Sequence, residues 1–228
     1  MDPDFLLLQM NDSLFPIGAY SHSYGLETYI QKDIVHNTET AKTYIERRLT
    51  YNFLYADLLA ASLSYDAALK KDLEGLCRIE DSMEASRVPR EIREASAKLG
   101  NRFLKTVSLF EEVKENAFFE EFVKARSGKT ACHPVTYGLI CACTEISKEK
   151  CLSNYLYSQA SQMVTTCVKA IPISQSDGQR ILYELEPLFH ELLEKVVKLT
   201  EDDLCRSTPG FDLRSIQHER LYSRLYMS

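Results

Sequence analysis

The clearest fold signal in the sequence is residues 152–170, LSNYLYSQASQMVTTCVKA. Apolar side chains recur there at intervals of three or four, so they form one stripe along a helix of about five turns. The stripe consists of Leu152, Leu156, Ala160, Met163, Cys167 and Ala170. This spacing predicts a long amphipathic helix that packs one face against the rest of the protein.

The same spacing recurs in three further stretches, which begin near residues 45, 92 and 181. Pro187 interrupts the last stretch. Because proline removes a backbone donor, we expect it to kink that helix or to begin a new one. Helical patterns outnumber strand patterns throughout, and no Gly/Ser-rich or Pro-rich linker divides the chain. The sequence therefore predicts an all-α fold, a single-domain helical bundle of about eight to ten helices over residues 1–228.

Polar residues at the predicted helix starts agree with this interpretation. Asn37 with Glu39, and Ser174 with Asp177, are placed to accept hydrogen bonds from the first free backbone amides of two helices. The clean apolar stripe is lost near the C-terminus. We therefore expect a partly irregular, partner-binding tail over about residues 205–228, whose order could depend on a partner.

Composition narrows the class of partner. The formal net charge is −6, with acidic and basic residues interspersed, so no broad positive field is available for nucleic acid. The longest apolar runs are too short for a membrane-spanning helix, and the N-terminus lacks the charge pattern of a secretion signal. Seven cysteines without a secretion signal are typical of reduced thiols. We expect a cytoplasmic protein with neither nucleic acid nor membrane as its partner.

Groupings that would indicate catalysis or metal binding are weak. The histidines are far apart in sequence: His22, His36, His133, His190 and His218. Cys141 and Cys143 are two positions apart and would point to opposite sides of a helix, so buried packing is the favoured role. Cys132 beside His133 could form a stabilised thiolate at a helix start, although a structural role is favoured. We expect no catalytic centre, no metal site and no stably bound cofactor.

Two segments contain more glycine, polar and aromatic residues than a plain packed helix requires. One is FPIGAYSHSYGLE at residues 15–27, and the other is KAIPISQSDGQ at residues 169–179. Each could be a well hydrogen-bonded turn or a binding surface, and the residues alone leave both interpretations open.

With three other motifs, these segments resemble the UreF family of urease accessory proteins. The others are REIREASAKLGNRF from Arg90, HPVTYG from His133 and the tail HERLYSRLYMS from His218. The motifs occur in the family's order, and the resemblance covers nearly the whole chain, from about Phe5 to Ser228.

The resemblance implies a non-enzymatic, cytoplasmic assembly factor for the dinickel centre of urease, that is, a nickel-insertion chaperone. Such a protein forms a homodimer, binds UreD (also called UreH) and presents a surface that recruits the GTPase UreG. The complex then docks on apo-urease. Nickel would be handled by the complex and GTP bound by UreG, so the chain itself would hold no cofactor.

The resemblance also implies residue roles, each of which has a plainer alternative. The tail residues Tyr222, Ser223, Arg224, Leu225 and Tyr226 match the segment that UreD orders, and the alternative is a frayed basic tail. A surface associated with UreG matches Lys169, Gln175, Asp177 and Gln179, and the alternative is a helix cap. Tyr157 is expected at the dimer interface, with ordinary core as the alternative.

For the remaining motif residues the resemblance does not decide between partner contact and support of the fold. These are His22, Tyr24, Glu27, Arg93 and His133. An alternative function is direct regulation of GTP hydrolysis by UreG, in which Arg224 or Arg93 would enter the GTPase site. RNA binding by the tail is disfavoured, because four arginines against two acids from Arg206 onward give too little positive charge.

Overall fold

The computed structural model describes residues 2–227, apart from the side chain of Tyr20, and every regular element within those limits is a helix. The helices are α1 (Pro3–Met10), α2 (Leu26–Gln31), α3 (Thr38–Arg48), α4 (Leu59–Leu69), α5 (Leu73–Ser86), α6 (Arg90–Val107), α7 (Glu111–Lys114), α8 (Ala117–Ala125), α9 (His133–Cys143), α10 (Lys148–Ala170), α11 (Gln175–Glu184), α12 (Glu186–Val196) and α13 (Pro209–His218). The predicted all-α class is confirmed.

Helices α3 and α4 are joined without a break by a π-helical segment, Leu49–Leu58. With that run counted as one helix, the described residues form twelve helices, ten of which have seven or more residues. The longer helices therefore match the predicted eight to ten. The π-helical geometry of the middle was not predicted. It matters because wide helical turns of this kind are frequently found at functional sites.

The predicted helix starts are found, with one different partner. Asn37 accepts a hydrogen bond from the Thr40 amide at 2.9 Å, and the Thr40 hydroxyl accepts one from the Asn37 amide at 3.0 Å. Thr40 therefore completes this capping box, and the predicted partner Glu39 does not. Ser174 and Asp177 form the expected reciprocal pair at the start of α11.

Prolines occupy the first or second position of four helices, α1, α9, α12 and α13. Pro187 lies in the first turn of α12, directly after α11 ends, so it opens a new helix rather than kinking an old one. Pro209 opens α13 in the same way. Ten residues of the predicted tail are thus helical, and residues 205–208 and 219–227 are irregular. Ser228, the last residue of the predicted tail, lies outside the described residues.

Helix α9 lies in the middle of the bundle, with eight of its eleven residues buried. It packs directly against α4, and Gly138 sets the distance between them. A Cβ atom at Gly138 would lie 2.2 Å from the Ala61 carbonyl oxygen, so any side chain would force the two helices apart. Helices α5, α6 and α10 surround this pair. No helix among residues 2–227 is long and apolar enough to cross a membrane.

A buried carboxylate lies at the start of α9. Both oxygens of Glu80, on α5, accept from the Cys132 amide, at 3.1 and 2.9 Å. Burial raises the pKa of Glu80 to about 7, and burial together with this carboxylate raises the pKa of the Cys132 thiol well above its ordinary range. The thiol therefore stays protonated at neutral pH, which agrees with the favoured structural role and argues against a thiolate.

His133 has a packing role. Its ring lies edge-on to Phe103, with 4.5 Å between ring centroids, and burial lowers its pKa to about 4. The Nε2 atom is buried and has no hydrogen-bond partner among the described residues. The neutral ring thus contributes aromatic contact to the core.

Glu80 should make stability depend on pH. Its folded pKa of about 7 lies above the ordinary value of 4.5, so the folded state binds more protons between those pH values. The free energy of unfolding should therefore fall as pH rises from about 4.5 to about 7. Glu80→Gln should flatten that part of the profile in urea titrations. Glu74→Gln, an exposed change on the same helix, is the control, and an unchanged profile in Glu80→Gln would contradict the assignment.

Candidate partner-binding surfaces

The N-terminal motif, residues 15–27, forms part of the surface on which the last helix, α13, packs. Tyr24 and Gly25 are both in the left-handed region, with φ of 52° and 83°. A Cβ at Gly25 would lie 2.6 Å from the Ser215 hydroxyl oxygen and 3.1 Å from Ser215 backbone atoms, so glycine is needed for α13 to approach. The Thr28 hydroxyl also donates to the Arg214 carbonyl at 2.8 Å. Residues 24–28 therefore hold α13 against α2.

A buried ionic cluster fixes the chain after α13, and we call it the tail clasp. It consists of Glu27, Glu91, His218, Arg224 and the backbone amides of Leu225 and Tyr226. Glu27 accepts from the amides of Leu225 and Tyr226, at 2.6 and 3.0 Å, and from His218 Nε2 at 2.9 Å. Three donors from the C-terminus thus converge on one side chain of the N-terminal motif.

Glu91, on α6, completes the clasp. One of its oxygens lies 2.7 Å from His218 Nδ1 and the other 2.6 Å from an Arg224 guanidinium nitrogen. The His218 ring is fully buried. Both nitrogens of the buried ring therefore contact a carboxylate, and the partly exposed Arg224 guanidinium adds a positive charge beside Glu91.

The clasp orders the tail against the protein's own body, which contradicts the frayed-tail alternative. The Tyr226 ring is only 8% exposed, the Met227 amide donates to the Ser21 carbonyl, and Gln31 donates to the Ser223 carbonyl at 2.8 Å. The five predicted tail residues therefore divide into two groups. Ser223, Arg224 and Tyr226 bond to the body of the protein through the Ser223 carbonyl, the Arg224 guanidinium and the Tyr226 amide, whereas Tyr222 and Leu225 have exposed side chains.

Lys169, Gln175 and Gln179 line one groove between α10 and α11, with a volume of about 580 Å³. We call it the α10–α11 groove. Asp177 does not line it. Its carboxylate accepts from the Ser174 amide and hydroxyl, bonds that lower its pKa, and forms an ion pair with Arg180 at 2.7 Å. The structure thus brings three of the four predicted residues together and gives Asp177 the capping role.

Tyr157 lies on the surface, since it is 54% exposed. Its ring meets Phe189 of α12 edge-on, with 6.4 Å between centroids. The alternative that it belongs to the ordinary core is therefore wrong, and its place in a dimer interface stays a prediction.

The other motif residues contact neighbouring parts of the fold, and of these Arg93 is exposed. His22 is buried, and burial lowers its pKa. The Tyr24 ring lies 4.8 Å from the Arg48 guanidinium, and burial raises the Tyr24 pKa to about 12. Arg93 donates to the Arg87 carbonyl at 3.0 Å and so fixes the turn between α5 and α6. Arg93 and Arg224 are both exposed and each bonds within the chain, so the regulator alternative, in which one of them would leave its partner, stays a prediction.

Two members of the clasp, Glu91 and His218, were not among the predicted site residues. Both lie in motifs that the sequence does contain, REIREASAKLGNRF and HERLYSRLYMS. The signal that could have paired them is the buried-charge rule, because an acid within an apolar stripe needs a basic partner. Their separation of 127 residues left that partner undetermined.

No group of three or more His, Cys, Asp or Glu side chains within residues 2–227 is arranged to hold a metal ion. The fold and the surfaces together define an all-α protein in which polar motifs fix a tail and shape a groove at the surface.

Sequence comparisons agree with this class. A profile of the UreF family matches residues 35–186. Urease accessory protein UreF of Actinobacillus pleuropneumoniae serotype 5b is 36% identical over 224 residues, covering 97% of each chain. The protein of that name from Haemophilus influenzae is 34% identical over 222 residues, covering 97% of this chain and 94% of its own. The chain belongs to the UreF family of urease accessory proteins.

The clasp predicts how the tail responds to loss of one charge. Glu27→Gln should free residues 219–227, because an amide nitrogen would then face one of three converging N–H donors. Trypsin cleavage after Arg220 and Arg224 should speed up about tenfold, as expected if local opening becomes easier by ~1.4 kcal/mol. Glu194→Gln on α12 is the exposed control. Equal cleavage rates in Glu27→Gln and wild type would show that the clasp does not hold the tail.

Proposed function

We propose that this protein is a nickel-insertion chaperone that acts as a scaffold in urease maturation. It would bridge UreD (UreH) and the GTPase UreG on apo-urease, in the cytoplasm and as a homodimer. Membership of the UreF family supports the maturation role. The observation that carries the scaffold role is the tail clasp, in which four ionisable side chains hold a short surface segment in one conformation.

The tail is the proposed UreD-binding surface. Tyr222 is fully exposed and Leu225 is 69% exposed, although the backbone between them is fixed by Glu27 and by Gln31. A tyrosine and a leucine on a fixed backbone lose little conformational entropy when a partner covers them. Tyrosine is also among the residues enriched at binding hot spots. The segment is thus suited to dock as it stands.

The α10–α11 groove is the proposed UreG-binding surface. Lys169 is exposed at its edge, and Gln175 and Gln179 contribute amide groups that can both donate and accept hydrogen bonds. Gly178 keeps the helices close, because a Cβ there would lie 2.7 Å from Val168. A charged edge beside adaptable amides favours a polar partner surface with complementary acidic groups.

Under this proposal the chain itself has no resident cofactor. GTP would be bound by UreG, and nickel would be cargo of the whole complex. Tyr157, with Phe189 beside it, would contribute to contact between two copies of the chain.

The double variant Tyr222→Ala/Leu225→Ala should weaken binding to purified UreD by about tenfold or more, since each exposed side chain acts as a hot spot on a fixed backbone. UreG should be lost as a consequence in pull-downs from extracts of cells that express urease. A chain ending before Glu219 should behave in the same way.

The matched control is Tyr183→Ala/Leu69→Ala, which removes a tyrosine and a leucine of similar exposure elsewhere on the surface. Retention of UreD by the tail variants at the wild-type level would refute the tail as its binding surface.

Lys169→Glu should distinguish binding at the α10–α11 groove from binding at the tail. With UreD still bound, retention of UreG should fall about tenfold because a negative charge replaces a positive one at the groove edge. Lys198→Glu makes the same charge change at another exposed lysine and should leave UreG binding intact. If both variants lose UreG equally, net charge rather than the groove determines recruitment.

A further inference from the structure

A polar cavity of about 260 Å³ lies beneath α13. Its walls come from the π-helical segment, the turn between α5 and α6, residues 205–208 and the inner face of α13. A cavity needs only about 10–15 Å³ by this measure to hold one water, so a polyatomic ion with several waters fits. The cavity therefore lies where four separate parts of the chain meet.

Arg48 is a cavity-lining arginine whose guanidinium does not pair with a carboxylate of the described residues. It is half-buried at the end of α3 and lines the cavity. One of its terminal nitrogens donates to the Tyr44 hydroxyl at 3.1 Å and approaches the Tyr24 carbonyl at 3.4 Å. Within residues 2–227 it forms no ion pair with a carboxylate. Its remaining donors are therefore available to a ligand, and guanidinium is the group best suited to grip an oxyanion at two points.

Two more guanidinium groups face the same space. Arg87 pairs with Asp57 at 2.8 Å, but its Nε atom is buried and has no hydrogen-bond partner among the described residues. Arg206, at the rim, lies 4.5 Å over the Tyr55 ring and pairs with Asp203. An unpaired buried donor costs free energy, and an acceptor entering the cavity would remove that cost.

The cavity walls also offer hydroxyl donors and a single acid. The Thr208 hydroxyl accepts from the Asn52 amide at 2.8 Å, which leaves its own proton free to donate. Ser207 lines the same walls, and so does Ser86, although the Ser86 hydroxyl already donates to the Met83 carbonyl at 2.9 Å. The acid is Asp212, and burial raises its pKa, which disfavours its charged form. The lining is thus rich in donors and contains Arg48 as an uncompensated cation.

We propose that this cavity binds a small oxyanion of phosphate size, held chiefly by Arg48, with Arg87, Arg206 and the Thr208 hydroxyl as further donors. The ion would tie the π-helical segment to the α5–α6 turn and to the loop that leads into α13. It would therefore stabilise the surface on which α13 packs. This site is separate from the tail surface and from the α10–α11 groove, so it does not rest on the proposed function.

The test is phosphate binding by the full-length chain. Binding is measured by isothermal titration calorimetry, and also by the rise in melting temperature in phosphate relative to sodium chloride of equal ionic strength. Wild type should bind saturably. Arg48→Met should weaken binding about tenfold or more, and Arg206→Met about threefold, because the first removes the uncompensated cation and the second a rim contact. Arg47→Met, the neighbouring exposed arginine outside the cavity, should bind as wild type does.

Arg206→Met keeps the test valid if loss of the Arg48 hydrogen bonds impairs folding. A parallel titration with O-phosphoserine shows whether the site takes free phosphate or a phosphate group carried by a larger molecule. Saturable binding of phosphate or of O-phosphoserine supports an oxyanion site. The proposal fails if wild type binds neither, or if Arg47→Met weakens binding as much as the two cavity variants do.

Discussion

The position of the C-terminal segment depends on two largely buried carboxylates, Glu27 and Glu91. Transfer of a charge into a protein interior is costly unless opposite charge and hydrogen-bond donors meet it. Here those donors come from the far end of the chain, through His218, Arg224 and two backbone amides. The C-terminal segment is thus a necessary partner of buried groups in the body, and its conformation is specified by them.

This arrangement explains why short motifs far apart in sequence belong together. Gly25 of the N-terminal motif leaves room for α13, and Glu27, two positions later, accepts hydrogen bonds from the tail. Glu91 on α6 completes the ionic cluster. The helical bundle supplies the rigid frame, above all through the close contact of α4 and α9 at Gly138. Glu27, His218 and Tyr226, which hold the tail, are buried, whereas the side chains of Tyr222 and Leu225 are exposed. Support and recognition are therefore carried by different side chains of one segment.

Much of the fold could be predicted from local pattern, because amphipathic spacing and capping residues act within a few positions of one another. The stripe at residues 152–170 is of this kind, and so is the interruption at Pro187, for which a kink and a new helix were both predicted. The π-helical turns of Leu49–Leu58 could not be predicted, since their apolar residues also fit an ordinary helix. The site was predicted only in part. Lys169, Gln175 and Gln179 are close in sequence and meet in one groove, but the pairing of His218 with Glu27 and Glu91 depends on three-dimensional packing.

Hydrogen exchange at the Leu225 and Tyr226 amides in the free, full-length protein tests the central claim most directly. Both amides donate to the buried Glu27 carboxylate, so they should exchange far more slowly than the same residues in an unstructured peptide. Slow exchange without any partner would show that the tail is already held in place in the free protein. Exchange at the rate of an unstructured peptide would mean that the buried carboxylates do not hold the tail, and would contradict the central role assigned to Glu27 and Glu91.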